Sequence, residues 1–85
     1  DEVILPDPMW TEVAENVRLA DGVPVGVPIR EREGYAYDAH AIEQRVTRRT
    51  KAIYLNTPHN PTGAVLSEAQ LLAILDVAER RGLWV

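Results

Sequence analysis

Asn56-Thr57-Pro58-His59-Asn60-Pro61-Thr62-Gly63, written NTPHNPTG, crowds two prolines, two asparagines and a glycine into eight residues. An apolar run, Ala52-Ile53-Tyr54-Leu55, precedes it, and an amphipathic helical pattern follows. Proline fixes φ and lacks an N–H, so it does not belong inside a central ladder. Glycine enters the left-handed region freely, and asparagine tolerates it better than most residues. The stretch therefore reads as a shaped loop at the carboxyl end of a strand over Ala52–Leu55. In open α/β sheets that end is where ligands bind.

Downstream of the loop, Ser67-Glu68-Ala69-Gln70 is a capping box, with serine at the N-cap and glutamine three residues on. Leu66 and Leu71 stand where a hydrophobic staple would place them. Leu71, Leu72, Ile74, Leu75 and Ala78 form the expected buried stripe, and Arg80-Arg81-Gly82 closes the helix with cations and a C-cap glycine. Leu83-Trp84-Val85 starts another strand, expected to continue beyond the last residue.

Upstream, Val3-Ile4-Leu5 reads as a buried parallel strand stopped by Pro6-Asp7-Pro8. Met9 and Trp10 stand at the mouth of a helix from Thr11 to Ala20, in which Val13, Val17 and Ala20 share a stripe with Ala14 beside it. Glu12 and Glu15 near its start and Arg18 near its end suit the macrodipole. Gly22 is the expected left-handed cap. Val23-Pro24-Val25-Gly26-Val27-Pro28-Ile29 alternates valine with proline or glycine, which makes it an edge strand or extended segment. Arg30-Glu31-Arg32-Glu33-Gly34 is a charged connection, and Tyr35-Ala36-Tyr37 reads as extended. Asp38 caps a second helix, with Ala39, Ile42 and Val46 at helical spacing. Strands alternating with helices predict an α/β fold, a mostly parallel sheet with flanking helices.

Composition bounds the function. A chain of 85 residues has room for one core but not for a core plus a closed cleft. A net charge of −4, with basic clusters only at Arg48-Arg49-Thr50-Lys51 and Arg80-Arg81, offers no stripe for nucleic acid. Absent cysteine removes thiolate catalysis and thiolate metal sites. No apolar run approaches the ~20 residues of a membrane span. No signal peptide is visible, so a cytoplasmic location is expected, and the missing initiator methionine hints at an excised piece. The chain contains no GxSxG, P-loop or HExxH motif, and the spacing of Gly22 and Gly26 does not fit the dinucleotide fingerprint. His40 reads as a surface residue, and His59 lies inside the loop, where it could contact a ligand. A lysine that forms an imine should be partly desolvated. Lys51, the one lysine, stands among arginines and reads as a surface charge.

The run Arg49 to Gly63, RTKAIYLNTPHNPTG, resembles the class I/II aminotransferases, pyridoxal-phosphate (PLP) enzymes of fold type I. Their hallmark here is an Asn-Pro-x-Gly turn after a buried strand, preceded by an R-T-K-A-like lead. DEVILPDPMWTEV resembles the same family's Asp-x-Val and Pro-x-Trp/Tyr segment, and the likeness covers essentially all 85 residues. It implies that residues 1–85 are a central part of the large PLP-binding domain, incomplete at both ends. It further implies that Asn60 donates a hydrogen bond to the 3-oxygen of pyridoxal 5'-phosphate and lies near the substrate carboxylate. Trp10 matches the aromatic that stacks on the pyridine ring; read from its own position it is equally a core tryptophan at the helix start. Pro8 and Pro61 would follow cis peptide bonds. The family's Schiff-base lysine, the aspartate facing the pyridine nitrogen, the glycine-rich cofactor turn and the carboxylate-binding arginine all fall outside the chain.

The resemblance implies an aminotransferase exchanging an amino group between an amino acid and a 2-oxo acid, homodimeric at full length, with the 85-residue segment inactive alone. Two other readings stay open: a carbon–sulfur lyase of the same fold type, and a non-catalytic remnant serving as a structural or interaction module.

Overall fold

Pairing in this chain is decided by where its prolines turn their missing donors. The computed structural model describes residues 1–30, 32, 34, 36–57, 62, 63 and 65–85. Three parallel strands, β1 (Glu2–Asp7), β2 (Val23–Pro28) and β3 (Thr50–Ile53), form a sheet in the order β2-β1-β3. They alternate with the helices α1 (Thr11–Leu19), α2 (Ala39–Gln44) and α3 (Glu68–Arg81). The α/β architecture expected from the sequence is thus the observed one.

β1 does not stop at Leu5, as its prolines suggested, but runs through Pro6 to Asp7. Glu2 N–H donates to Arg49 O at 2.7 Å, and Ile4 O accepts from Tyr54 N–H at 2.8 Å, so even-numbered residues of β1 face β3. Odd-numbered ones face β2: Asp1 O accepts from Val23 N–H and Asp7 O from Ile29 N–H. Pro6 therefore turns its nitrogen toward β3 at a level where β1–β3 pairing has already ended at Ile4↔Ile53. It costs the ladder nothing. On β2 the same alternation aims Pro24 and Pro28 off the sheet, away from β1, which makes β2 an edge strand as expected. The guanidinium of Arg45 donates to Gly26 O at 3.2 Å and covers part of that edge.

β3 begins and ends two residues earlier than the apolar run indicated. Its entry is pinned by side chains: Thr50 is buried, and its Oγ1 accepts from Thr47 N–H at 2.8 Å. Thr47 Oγ1 in turn donates to Glu2 Oε1 at 2.9 Å. Leu83–Val85 joins the outer side of β3 through a parallel bridge, Ala52↔Trp84, as the reading of a further strand anticipated.

Both residues assigned as caps of the later helices behave as expected. The Asp38 side chain accepts from His40 N–H, and Ser67 with Gln70 forms the complete capping box. Gly82, at φ 69°, takes the left-handed position after α3. At the end of α1 the expectation fails in an informative way: Asp21, not Gly22, is left-handed, at φ 61°. Asp21 N–H bonds Arg18 O and Gly22 N–H bonds Val17 O at 2.8 Å, the paired bonds of a Schellman ending. Gly22 is needed for closeness instead, because an added Cβ would lie 2.9 Å from Val17 Cγ1 and 3.1 Å from Val17 O.

The core lies on the sheet face that carries Ile4, Val27 and Ile53, closed over by Tyr37, by Ile42 of α2 and by Ile74 and Ala78 of α3. Ile4 and Ile74 are fully buried, and burial of a side chain that size stabilises by roughly 1.5–3 kcal/mol. The stripe expected on α3 is rotated: Val77 is buried, whereas Leu72 and Leu75 are exposed. Ile74, Val77 and Ala78 hold the i, i+3, i+4 positions that meet the core, and Leu72 and Leu75 belong to the next row around the helix. α2 stops at Gln44, short of Val46, which nevertheless packs on the core from the following turn. α1 buries no residue. Its Val13 and Val17 line, with Val3, Lys51 and Tyr54, an open groove of about 450 Å³.

Ions join α2 to α3. Glu43 accepts from Arg80 through both carboxylate oxygens, at 2.6 and 3.2 Å, and from Arg81 at 3.2 Å, while Arg80 also holds Asp76 at 2.9 Å. Hydrogen bonding from Arg80, aided by Arg81 and by the charges of both, holds the Glu43 carboxyl below its ordinary range against a smaller opposing effect of burial.

Candidate functional site

Parallel strands place all their carboxyl ends on one side of the sheet, so the segments after β1 and β3 must emerge together. After β1 the chain passes through a cis Asp7-Pro8 bond, as the resemblance implied, to Met9 and Trp10. Trp10 is the N-cap residue of α1 with φ −58° and ψ 125°, an extended geometry that turns the chain into the helix without a side-chain cap. The residue is 51% exposed. The buried cluster of Ile4, Ile42 and Ile74 between sheet and helices does not include Trp10.

Trp10 borders a groove of about 280 Å³ together with Asp7, Met9, Pro24 and Arg18. Arg18 in that groove is paired with Glu15, one turn back on α1, so the groove presents an aromatic face beside a neutralised ion pair.

After β3 the chain enters the Asn56–Gly63 stretch. Asn60, the residue expected to meet a cofactor, lies outside the described residues, as do Pro58, His59, Pro61 and Ala64, and with them the expected cis bond before Pro61 and the expected contact of His59. What is described is how the stretch is held at its ends. Tyr37 O–H donates to Asn56 O at 3.2 Å, and the same oxygen accepts from Asn56 N–H at 3.3 Å. Burial raises the Tyr37 pKa, offset in part by the bond to Asn56, so the phenol stays protonated. Thr57 Oγ1 accepts from Leu66 N–H at 2.8 Å, which joins the two sides of the loop at its base. Gly63, at φ 76°, supplies the left-handed conformation that the loop's exit requires. Leu66 then packs on the core one residue before the Ser67 cap.

The structure thus brings Trp10 and the entry of the Asn56–Gly63 loop to one end of the sheet. It keeps the other titratable candidates apart: His40 is exposed in the first turn of α2, and Lys51 is exposed in β3, where it lines the groove under α1 instead. Tyr37 was missed by sequence reasoning, which saw only an extended residue before a helix cap. Among the described residues no cluster of histidine and carboxylates could hold a metal ion, and no helix is long and apolar enough to cross a membrane.

A half-exposed aromatic residue at the carboxyl ends of parallel strands, the end at which a tied loop also emerges, fits a flat heteroaromatic group. The ring offers a stacking face, and stacked aromatic pairs gain about 0.5–1.5 kcal/mol beyond area burial.

Comparison with known proteins bears on that group. The sequence model for "Aminotransferase class I and II" matches residues 1–85. The chain is 42% identical over all 85 residues to the probable aspartate/prephenate aminotransferase of Aquifex aeolicus, of which it spans 22%. It is 48% identical to the probable aspartate aminotransferase of Streptomyces griseus, of which it spans 40%. Among solved structures, 98% of the chain superimposes on 22% of Thermus thermophilus aspartate aminotransferase with maleate, with a TM-score of 0.95 and 40% identity. It also superimposes on 22% of N-succinyldiaminopimelate aminotransferase from Mycobacterium tuberculosis, again over 98% of the chain, with a TM-score of 0.90 and 42% identity. The chain is therefore similar to less than half of each relative.

Proposed function

Because the chain belongs to the class I and II aminotransferases, we propose that it forms one wall of a pyridoxal 5'-phosphate site in an enzyme that moves an amino group between an amino acid and a 2-oxo acid. The observation that carries this reading is that the half-exposed Trp10 and the tied entry of the Asn56–Gly63 loop both stand at the carboxyl end of the sheet. The cofactor, when bound, supplies the electron sink that makes amino-group transfer possible.

Within this chain the roles divide by chemistry. Trp10 gives the flat apolar face that orients the ring and excludes water from it. Asn60 provides a neutral amide donor for the cofactor's 3-oxygen and, beside it, for the substrate carboxylate, while Pro61, Thr62 and Gly63 shape the turn that presents it. Lys51 is ill placed for covalent attachment, since it is exposed and lines the groove under α1. That attachment falls to a lysine outside these 85 residues, together with the phosphate cradle and the acid facing the ring nitrogen. The segment alone is inactive, and the full-length protein works as a homodimer.

The test uses the full-length protein. Addition of pyridoxal phosphate should give a saturable visible absorption band. ¹⁵N-aspartate, or another member of an amino-acid panel, should then pass its label to a 2-oxo acid. Release of a thiol from a cysteine conjugate with no label transfer would assign a carbon–sulfur lyase instead. Failure to take up the cofactor would leave a structural remnant.

A further inference from the structure

Beyond β1–β3 pairing, the backbone of Asn56 has a gap to bridge. Tyr54 N–H bonds Ile4 O, so on a continuing parallel ladder the next residue of β3 facing β1 would be Asn56, its N–H directed to Pro6 O and its carbonyl to the nitrogen of Pro8. Pro8, as a proline, has no N–H to offer, and β1–β3 pairing has already ended at Ile4↔Ile53. Both polar groups of Asn56 still point to that side, and a partly buried backbone amide and carbonyl require partners. Tyr37 meets both with one oxygen: it donates to Asn56 O at 3.2 Å and accepts from Asn56 N–H at 3.3 Å. Its ring is anchored in the core with Ile4, Ile42 and Ile53. The hydroxyl stands where a strand neighbour would.

Asn56 opens the loop, and Thr57, its neighbour, ties the loop's two sides through Leu66 N–H. A displacement of Asn56 therefore moves the base of the loop, where Thr57 and Leu66 are joined. We propose that Tyr37 is a positioning residue: its hydroxyl, acting as a surrogate strand, sets the height of the Asn56–Gly63 turn and so the affinity of the site for pyridoxal phosphate. This rests on the reading of the turn as a cofactor contact.

Tyr37→Phe in the full-length protein keeps the ring and removes only the hydroxyl. One lost intramolecular hydrogen-bond pair should weaken pyridoxal phosphate binding by roughly two- to tenfold. Hydrogen exchange at the Asn56 amide in the cofactor-free protein should accelerate by a similar or larger factor, with exchange in α3 unchanged. Tyr37→Leu, which also empties part of the core, should lower the melting temperature further while binding the cofactor as Tyr37→Phe does.

Unchanged affinity in Tyr37→Phe would overturn the proposal, whether or not the amide exchanges faster. So would affinities that follow the melting temperatures of the two variants rather than the hydroxyl. A wild-type protein that takes up no pyridoxal phosphate would instead overturn the cofactor reading, and this role with it.

Discussion

Trp10 offers the sharpest separation of packing from recognition. The residue is 51% exposed, so about half of a ~250 Å² side chain is in contact with the protein, worth at most ~3 kcal/mol at ~25 cal per Å². Leucine would retain most of that contact. Trp10→Leu should therefore cost the cofactor-free, full-length protein only about 1 kcal/mol of stability. The aromatic face is lost altogether, and a stacking contribution of about 0.5–1.5 kcal/mol corresponds to a two- to tenfold weaker hold on pyridoxal phosphate. Trp10→Phe, which keeps a smaller face, should fall between the two. The assay pairs denaturant unfolding of the cofactor-free protein with titration of pyridoxal phosphate followed by its absorption. A stability loss above ~3 kcal/mol with unaltered affinity would refute the reasoning, because it would place Trp10 among the core residues.

The remaining predictions concern the frame. Ile74→Ala, at the fully buried centre of α3, should destabilise by about 2–5 kcal/mol in chemical denaturation. Ser67→Ala removes both partners' reason for the capping box and should cost about 1 kcal/mol. Because hydrogen bonds from Arg80 and Arg81 hold Glu43 below its ordinary range, its contribution is present above the carboxyl's unfolded value. It is lost as pH falls through the lowered folded one. Glu43→Gln should flatten that acid limb of the stability profile, and added salt should weaken the effect in the wild type. At the other end of the scale Tyr37, raised by burial, stabilises fully below the unfolded tyrosine value and loses that contribution as pH rises through its folded one. Tyr37→Phe should lack this alkaline limb in a pH series of melting temperatures.

Much of this fold is legible without coordinates because the signals are local. Ser67 and Gln70 bond each other's backbone across three residues, Asp38 reaches His40 N–H across two, and Gly82 ends a helix through its own φ. The loop after β3 was visible for the same reason: Pro58, Pro61 and Gly63 restrict their own backbones wherever they stand. The likeness that pointed to Trp10 and Asn60 also lies in contiguous residues, and the structure bears on Trp10 alone of the two.

Other features depend on what lies across the sheet. Pro6 sits within a central strand because alternation turns its nitrogen to the level where β3 has ended, which no local pattern reveals. Leu72 and Val77 have similar hydropathy, and only the placement of α3 over Ile4 and Ile53 decides which is buried. Strand, helix and turn were thus written in residues no more than four apart, where propensity and capping act. The openness of Trp10 and the bond between Tyr37 and Asn56, nineteen residues apart, were decided by tertiary structure, because only packing determines which unpaired groups come to face one another.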